Sequence, residues 1–318
     1  MRKLVCAVLL AMSPTIALAL ENPPWAYPAN PPGPPPQRDA NKIVRVPGSD
    51  KSYTEVQVND AFGPPDWFPG DHAPLPKQVS NGARPDPRAC GLCHLATGDG
   101  HPESAMVSGL PVNYILRQLH EFANGGRVGP RTGAMAQIAA AFKGDYTKDA
   151  KEAAEYFAAR KPRPGYVKVT EAATVPKTYV GAGAMRFVTH GAGAGTEPIG
   201  LRIINVPQDE DQAEARNPRS GFENFVPPGS IKKGEDLAST GGNGKTVQCS
   251  VCHGEGLVGL GEVPAIAGRD PLYIVRQLND IQNGARSGNS SALMRQVVAK
   301  LNLDDMISLA AYVGSLKP

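Results

Sequence analysis

Apolar side chains recur at helical spacing in two widely separated stretches. Val112, Ile115, Leu116, Leu119 and Phe122 fall on one face of a 3.6-residue repeat, as do Ile274, Val275, Leu278 and Ile281. Both runs stop at an Asn-Gly pair, where glycine can take the left-handed backbone that closes a helix. Further helices are predicted over 148–160 with Thr147 as N-cap, over 303–315 after Asn302, and over 231–239. The stretch before residue 90 that would match 231–239 carries Pro74, Pro76, Pro85 and Pro87, each lacking an amide hydrogen, so an irregular entry is expected there. Ala153, Ala154, Ala310 and Ala311 would let helices cross closely. The expected fold is mainly α: two tandem helical domains with long irregular Pro/Gly-rich arms.

The pattern is duplicated. Adding 159 to a residue number carries Gly109 onto Gly268, Tyr114 onto Tyr273, Arg117 onto Arg276, Gln118 onto Gln277 and Leu119 onto Leu278. The same offset carries Asn124 onto Asn283, Arg127 onto Arg286 and Met135 onto Met294. A shorter echo, Ile43-Val44-Arg45-Val46-Pro47 against Ile203-Ile204-Asn205-Val206-Pro207, places the start of each repeat near residues 40 and 200. The expected organisation is a signal peptide over 1–19, a proline-rich leader over 20–39, a first domain with its arm over 40–165, a linker over 166–199 that is Gly-Ala-rich at 181–195, and a second domain with its arm over 200–318. The leader reads as an exposed polyproline-like tether, with a docking segment as the sharper alternative.

Composition narrows the function. Proline and glycine number 31 and 35 of 318 residues, too many for regular structure throughout. The 33 Lys and Arg against 30 Asp and Glu give a net charge of +3, no electrostatic case for nucleic acid. At the N-terminus, Arg2 and Lys3, an apolar run over 4–10 and Ala17-Leu18-Ala19 read as an export signal cleaved after Ala19. An uncleaved anchor is the competing reading, but Ser13, Pro14 and Thr15 interrupt an already short run. Export would remove Cys6 and place the remaining four cysteines in the periplasm.

Those four occur as Cys90-Gly91-Leu92-Cys93-His94 and Cys249-Ser250-Val251-Cys252-His253, again 159 apart. C-x-x-C-H is the attachment pattern of c-type haem: two thiols reach the two vinyl groups of one porphyrin while the adjacent imidazole takes the iron. A zinc site built from both pairs would need them about 15–20 residues apart. A redox disulfide has no use for histidine after both pairs. Ordinary structural disulfides remain a third reading. Two covalently bound haem c groups are the expected cofactors, held by Cys90, Cys93, Cys249 and Cys252.

Met135 and Met294 each lie 41 residues after their motif histidine, and a thioether suits haem iron and raises its potential. The predicted metal ligands are therefore His94 with Met135 and His253 with Met294, each methionine on a loop. Met106 and Met306 are not duplicated and read as core. His72, His101, His120 and His190 lack histidine counterparts and read as surface or packing residues. Arg127 and Arg286 are candidate contacts for haem propionates, with Arg117 and Arg276 next.

The sequence now resembles the class I cytochromes c, in the tandem arrangement of the bacterial dihaem proteins of the cytochrome c4 kind, over residues 80–160 and 230–317. The resemblance implies small helical haem domains whose opening and closing helices pack together. It also implies a backbone carbonyl, supplied by a proline about a dozen residues after the haem histidine, for that histidine's other ring nitrogen. Pro264 fits; its counterpart is Ala105.

The implied function is periplasmic transfer of single electrons between a donor oxidoreductase and a downstream acceptor, with no catalytic residue, because two protein ligands on each iron leave no substrate position. A dihaem peroxidase or thiosulfate dehydrogenase is the enzymatic alternative, and a subunit of a membrane-associated respiratory or dehydrogenase complex a third. Ala105 and the proline-broken entrance suggest a looser, more solvated first site, whose haem would then have the lower potential unless the arm over 42–68 covers it.

Overall fold

The computed structural model describes residues 22–34, 37–142 and 148–318. The predicted signal peptide and Thr147 lie outside the described residues. In chain order, strands β1 (Ile43–Val44) and β2 (Tyr53–Thr54) and helix α1 (Glu55–Val58) form the first arm. The first helical half follows: α2 (Lys77–Ser80), α3 (Gly91–His94), α4 (Val112–Ala123), α5 (Gly133–Ala141) and α6 (Lys148–Ala158). Seven short strands come next: β3 (Val167–Glu171), β4 (Thr174–Pro176), β5 (Thr178–Val180), β6 (Arg186–Val188), β7 (Thr196–Pro198), β8 (Ile204–Pro207) and β9 (Phe222–Val226), with α7 (Glu210–Glu214) before the last. The second half holds α8 (Ser230–Thr240), α9 (Ser250–His253), α10 (Pro271–Gln282), α11 (Ala292–Val298) and α12 (Leu303–Ser315).

The helices have local causes. Asp270 accepts from the Tyr273 amide and Pro271 opens α10, a position where its missing amide hydrogen costs nothing. Asn302 and Asp305 form a reciprocal capping box at the start of α12. Helices α8 and α12 cross where Gly234 meets the Ser308 backbone, so close that a Cβ at 234 would collide with the Ser308 carbonyl. Glycine, more than the predicted alanines, sets that approach. In the first half the opening helix shrinks to the four residues of α2, which pack on α6, as the prolines predict.

The segments outside the helices are more ordered than their composition suggests. The 166–199 linker is ordered: β4 pairs with β7 and β5 with β6, both antiparallel. Strand β3 pairs parallel with β9, which pairs antiparallel with β8 in a three-stranded sheet. The linker contains Val169 and Val175 besides its glycines, and these pack against Val226 and against Ile199 and Ile204. The first part of the leader, residues 22–28, is docked and not an exposed tether. Ala26 is fully buried in the core of the second half, flanked by Trp25 and Tyr27, together with Leu272, Val275, Ile307 and Ala310. Tyr27 donates to Asp280 at 2.7 Å, and Asn22 accepts from the Asn279 side chain at 2.7 Å. Exposure in the described proline run falls on Pro24 and on residues 29–34. No helix among the described residues is long and apolar enough to cross a membrane.

Candidate haem-attachment sites

Each C-x-x-C-H motif lies on a single helical turn, α3 or α9, which places the paired thiols and the histidine on one short segment. The His94 Nδ1 is 2.8 Å from the Ala105 carbonyl oxygen, and the His253 Nδ1 is 2.9 Å from that of Pro264. A carbonyl can only accept, so each Nδ1 carries the proton and each Nε2 keeps its lone pair for a metal. Burial lowers both histidine pKa values, which favours the neutral ligating form, against the opposing pull of the carbonyl hydrogen bonds. The change from proline to alanine leaves this contact intact.

All four cysteines are free thiols, so neither pair is closed as a disulfide. Burial pushes the Cys90 thiol up to about 12 and the Cys249 thiol up to about 11, with repulsion from the second cysteine of each pair adding to it. Among the described residues no group of three or more His, Cys, Asp or Glu gathers to hold a metal ion, so the two pairs are not brought together as a zinc site would require.

The methionines sit in the first turns of helices, not on loops: Met135 in α5 and Met294 in α11. Both are half-buried. Met294 packs on the same apolar cluster as Cys249 and Leu278. In the first half, Cys90 packs with Ile115 and Met135 with Leu116 and Leu119, in neighbouring clusters that share helix α4 as a wall. This donor set, a paired thiol turn, an oriented imidazole and a thioether against one apolar helix, fits a c-type haem in each half. Met106 and Met306 are core, at 5% and 0% exposure.

Arg127 and Arg286 meet at the junction of the halves as partners in an antiparallel β-bridge. Arg127 donates to Gln118 and Gln277, both at 2.8 Å. Arg286 donates to Gln277 at 3.0 Å, Gln118 at 2.9 Å and Tyr114 at 3.0 Å. Both arginines therefore already have neutral acceptors contributed by the two halves. Of the second candidates, Arg117 pairs with Glu262 near the surface, while Arg276 is buried and reaches the carbonyls of Ala26 and Pro102 and the Glu103 carboxylate. Arg276 ties the leader to both halves.

The two motifs differ in their cover. Cys93 is half-buried where Cys252 is exposed, and Leu92 is half-buried where Val251 is 61% exposed. Arg216 closes the first motif: it donates to the carbonyls of Val58 at 3.0 Å and Leu92 at 2.8 Å, while the Trp67 indole donates to the Ala215 carbonyl at 2.8 Å. A partly open pocket of about 160 Å³ lies beside this motif, lined by Cys93, His101, Met185, Ala213 and Arg216 among others. The expectation of a more solvated first site is thus reversed, because the arm and the strand region fold over it. His101 is a packing residue, its ring edge-on to Phe222 at 6.0 Å, and burial lowers its pKa to about 3. Sequence pattern missed Arg216, which has an arginine's ordinary context locally and acts only through residues far along the chain.

The same turn, histidine contact and methionine helix thus recur in both halves. No family model matches the chain. It is 26% identical to the thiosulfate dehydrogenase electron acceptor of Thiomonas intermedia (strain K12), over 73% of this chain and 81% of that one. It is 31% identical to cytochrome c4 of Stutzerimonas stutzeri over 34% of this chain, which spans about half (53%) of that protein. Cytochrome c4 of Pseudomonas aeruginosa is 21% identical over 71% of this chain and 83% of its own length. The solved cytochrome c4 of Acidithiobacillus ferrooxidans covers 71% of this chain with 22% identity and a TM-score of 0.47. Its relatives in sequence include several cytochromes c4, and in sequence the chain is similar to a cytochrome c4-like dihaem cytochrome.

Proposed function

We propose that this chain is a periplasmic electron carrier that binds two haem c groups covalently and passes single electrons between a donor oxidoreductase and a downstream acceptor. The observation that carries the reading is the duplicated histidine geometry, in which both motif imidazoles are oriented by a backbone carbonyl. Cys90 and Cys93 would hold one haem and Cys249 and Cys252 the other. His94 with Met135, and His253 with Met294, would supply the axial ligands. Bound haem supplies a one-electron couple; the protein fixes its ligands, keeps water from it and sets the distance to its neighbour. Arg127 and Arg286 remain the candidates to meet propionates, at the junction where both halves converge.

A second reading, the electron-accepting partner of a thiosulfate-oxidising enzyme, is favoured by the relative from Thiomonas intermedia. The enzymatic alternative has less support, since both irons would be saturated by protein ligands. Mass spectrometry of the exported protein tests the first reading. The expected result is a chain beginning at Leu20 and carrying two haem masses that survive denaturation. Cys90→Ser with Cys93→Ser should remove one of them, and a wild-type chain with one haem or none would refute the reading.

A further inference from the structure

Asp99 is a carboxyl that neither motif uses as a ligand, yet it is only 1% exposed. The chain itself covers it. Its Oδ1 accepts from the Ser108 hydroxyl and from the Arg163 amide, both at 3.3 Å, and the Thr97 hydroxyl is a third donor. None of these donors is charged. The Arg163 guanidinium turns away, to donate to the Pro218 carbonyl at 2.8 Å. The other ionisable groups around the site are engaged elsewhere: the Tyr166 phenol donates to the Gly100 carbonyl, Arg269 donates to the carbonyls of Met106 and Ser108, and Asp270 accepts from Asn205 and the Tyr273 amide. A carboxylate held by long bonds from neutral donors is poorly compensated for the water it has lost. Burial accordingly raises its pKa above the ordinary carboxylate value, against the Thr97, Arg163 and Ser108 bonds that pull it down.

Asp99 also belongs to the loop that orients His94. The Gly98 carbonyl accepts from the amides of Val107 and Ser108 at 2.7 and 3.1 Å, and the Gly100 amide donates to the His94 carbonyl at 3.0 Å. Between these anchors the Ala105 carbonyl accepts from the His94 Nδ1. The two residues that flank Asp99 are therefore the points at which the loop is pinned, and its charge is held in a fixed place beside the first site. At the duplicated position the second half has Val258, 59% exposed and without charge.

We propose that Asp99 is a redox-linked proton site, which takes up one proton when the first haem gains an electron and releases it when the electron leaves. The inference rests on the electron-transfer reading above. Gain of the electron removes one positive charge beside the carboxylate and so favours its protonation. The electron comes from the donor oxidoreductase and the proton from solvent, so the charge of the buried site stays constant through the cycle. A route for the proton is built in. A cavity of about 10 Å³, room for one water, is lined by Thr97, Asp66, Asp71 and His72, with Asp71 exposed at its rim, and the Thr97 hydroxyl reaches from it to Asp99. The cover over the first motif raises the potential at every pH, whereas the Asp99 charge lowers it only above the protonation step.

Redox titrations of the full chain from about pH 4 to about pH 8, a range above the ordinary carboxylate value of ~3.9, test the proposal. The first haem's potential should fall with rising pH across the step, by up to ~59 mV for each tenfold change in proton activity. In Asp99→Asn the step should vanish and the potential should stay at its acid-side value; in Thr97→Val, which loses a donor to the ionised form, the step should move to higher pH. The second haem, beside Val258, should show neither change. Unfolding gives a readout that needs no electron transfer. A carboxyl whose folded pKa is raised loses stability as pH rises through that value, so Asp99→Asn should unfold at higher denaturant than wild type near neutrality and at the same denaturant below about pH 3.9. A first-haem potential that is constant over the range, a step that survives Asp99→Asn, or equal unfolding midpoints near neutrality would overturn the proposal. Absence of two reducible haems when dithionite is added would refute the electron-transfer reading and the proposal with it.

Discussion

Arg127 and Arg286 share their acceptors: the side-chain oxygens of Gln118 and Gln277 each receive a hydrogen bond from both guanidinium groups. Two like charges are thereby held together at the junction by two amides, one from each half. Gln118→Leu keeps the volume of the side chain and removes acceptors from both arginines, and buried hydrogen bonds to charged groups are worth about 1.5–3 kcal/mol each. The variant should lose about 3 kcal/mol of stability in denaturant unfolding. Gln118→Glu should retain the acceptor for both arginines while losing the donation to Glu121, and suffer less.

The paired methionines are expected to tune the two haems separately. Met135→His or Met294→His should leave the iron six-coordinate and lower the potential of its own haem by on the order of 0.1 V, since axial ligands move haem potentials across about 0.8 V. Redox titration of each variant checks this. An unchanged midpoint would remove that methionine from the ligand set.

The cover over the first motif predicts unequal haems. Exclusion of water disfavours the more highly charged ferric state, so the haem at Cys90 and Cys93, behind Arg216, should have the higher potential. Arg216→Ala opens the cover by removing the contacts to Val58 and Leu92, and should lower that potential while leaving the other in place. Titrations of the wild type beside single-haem variants distinguish the order.

The docked leader predicts a cost at Tyr27. Its phenol is a hydrogen-bond donor to Asp280, whose carboxyl is held above its usual range by burial, even though that bond pulls it down. Tyr27→Phe takes the donor away from a buried carboxyl and should cost about 1–3 kcal/mol. Limited proteolysis should also cut the leader faster in the variant.

Acid sensitivity should centre partly on Asp305. Burial alone would raise its pKa, but Lys245, the Asn302 amide and Lys233 hold it below the usual carboxylate value. A depressed folded pKa adds stability above the unfolded value of about 3.9, and that stability is lost as pH falls through the folded value. Wild type and Asp305→Asn should therefore differ most near neutrality, with the gap closing as acid protonates the folded-state carboxylate.

The features legible in the chain alone are those that short-range chemistry controls. Helix α12 spans 303–315 as predicted because its start is set by Asn302 and Asp305, three residues apart. The 159-residue register by itself puts both motifs, both methionines and both carbonyl acceptors into correspondence, since each lies within a self-contained run of chain. The cover, the leader and the junction arise only in three dimensions. Trp67 meets Ala215, Arg276 meets Ala26 and Arg127 meets Gln277 across 148, 250 and 150 residues. No periodicity links such partners. Proline-rich and Gly-Ala-rich composition describes a chain free to be extended, but Ala26 and Val175 are buried because apolar surface elsewhere was there to receive them. Which of the two motifs is covered follows from that packing, which no local sequence feature announces.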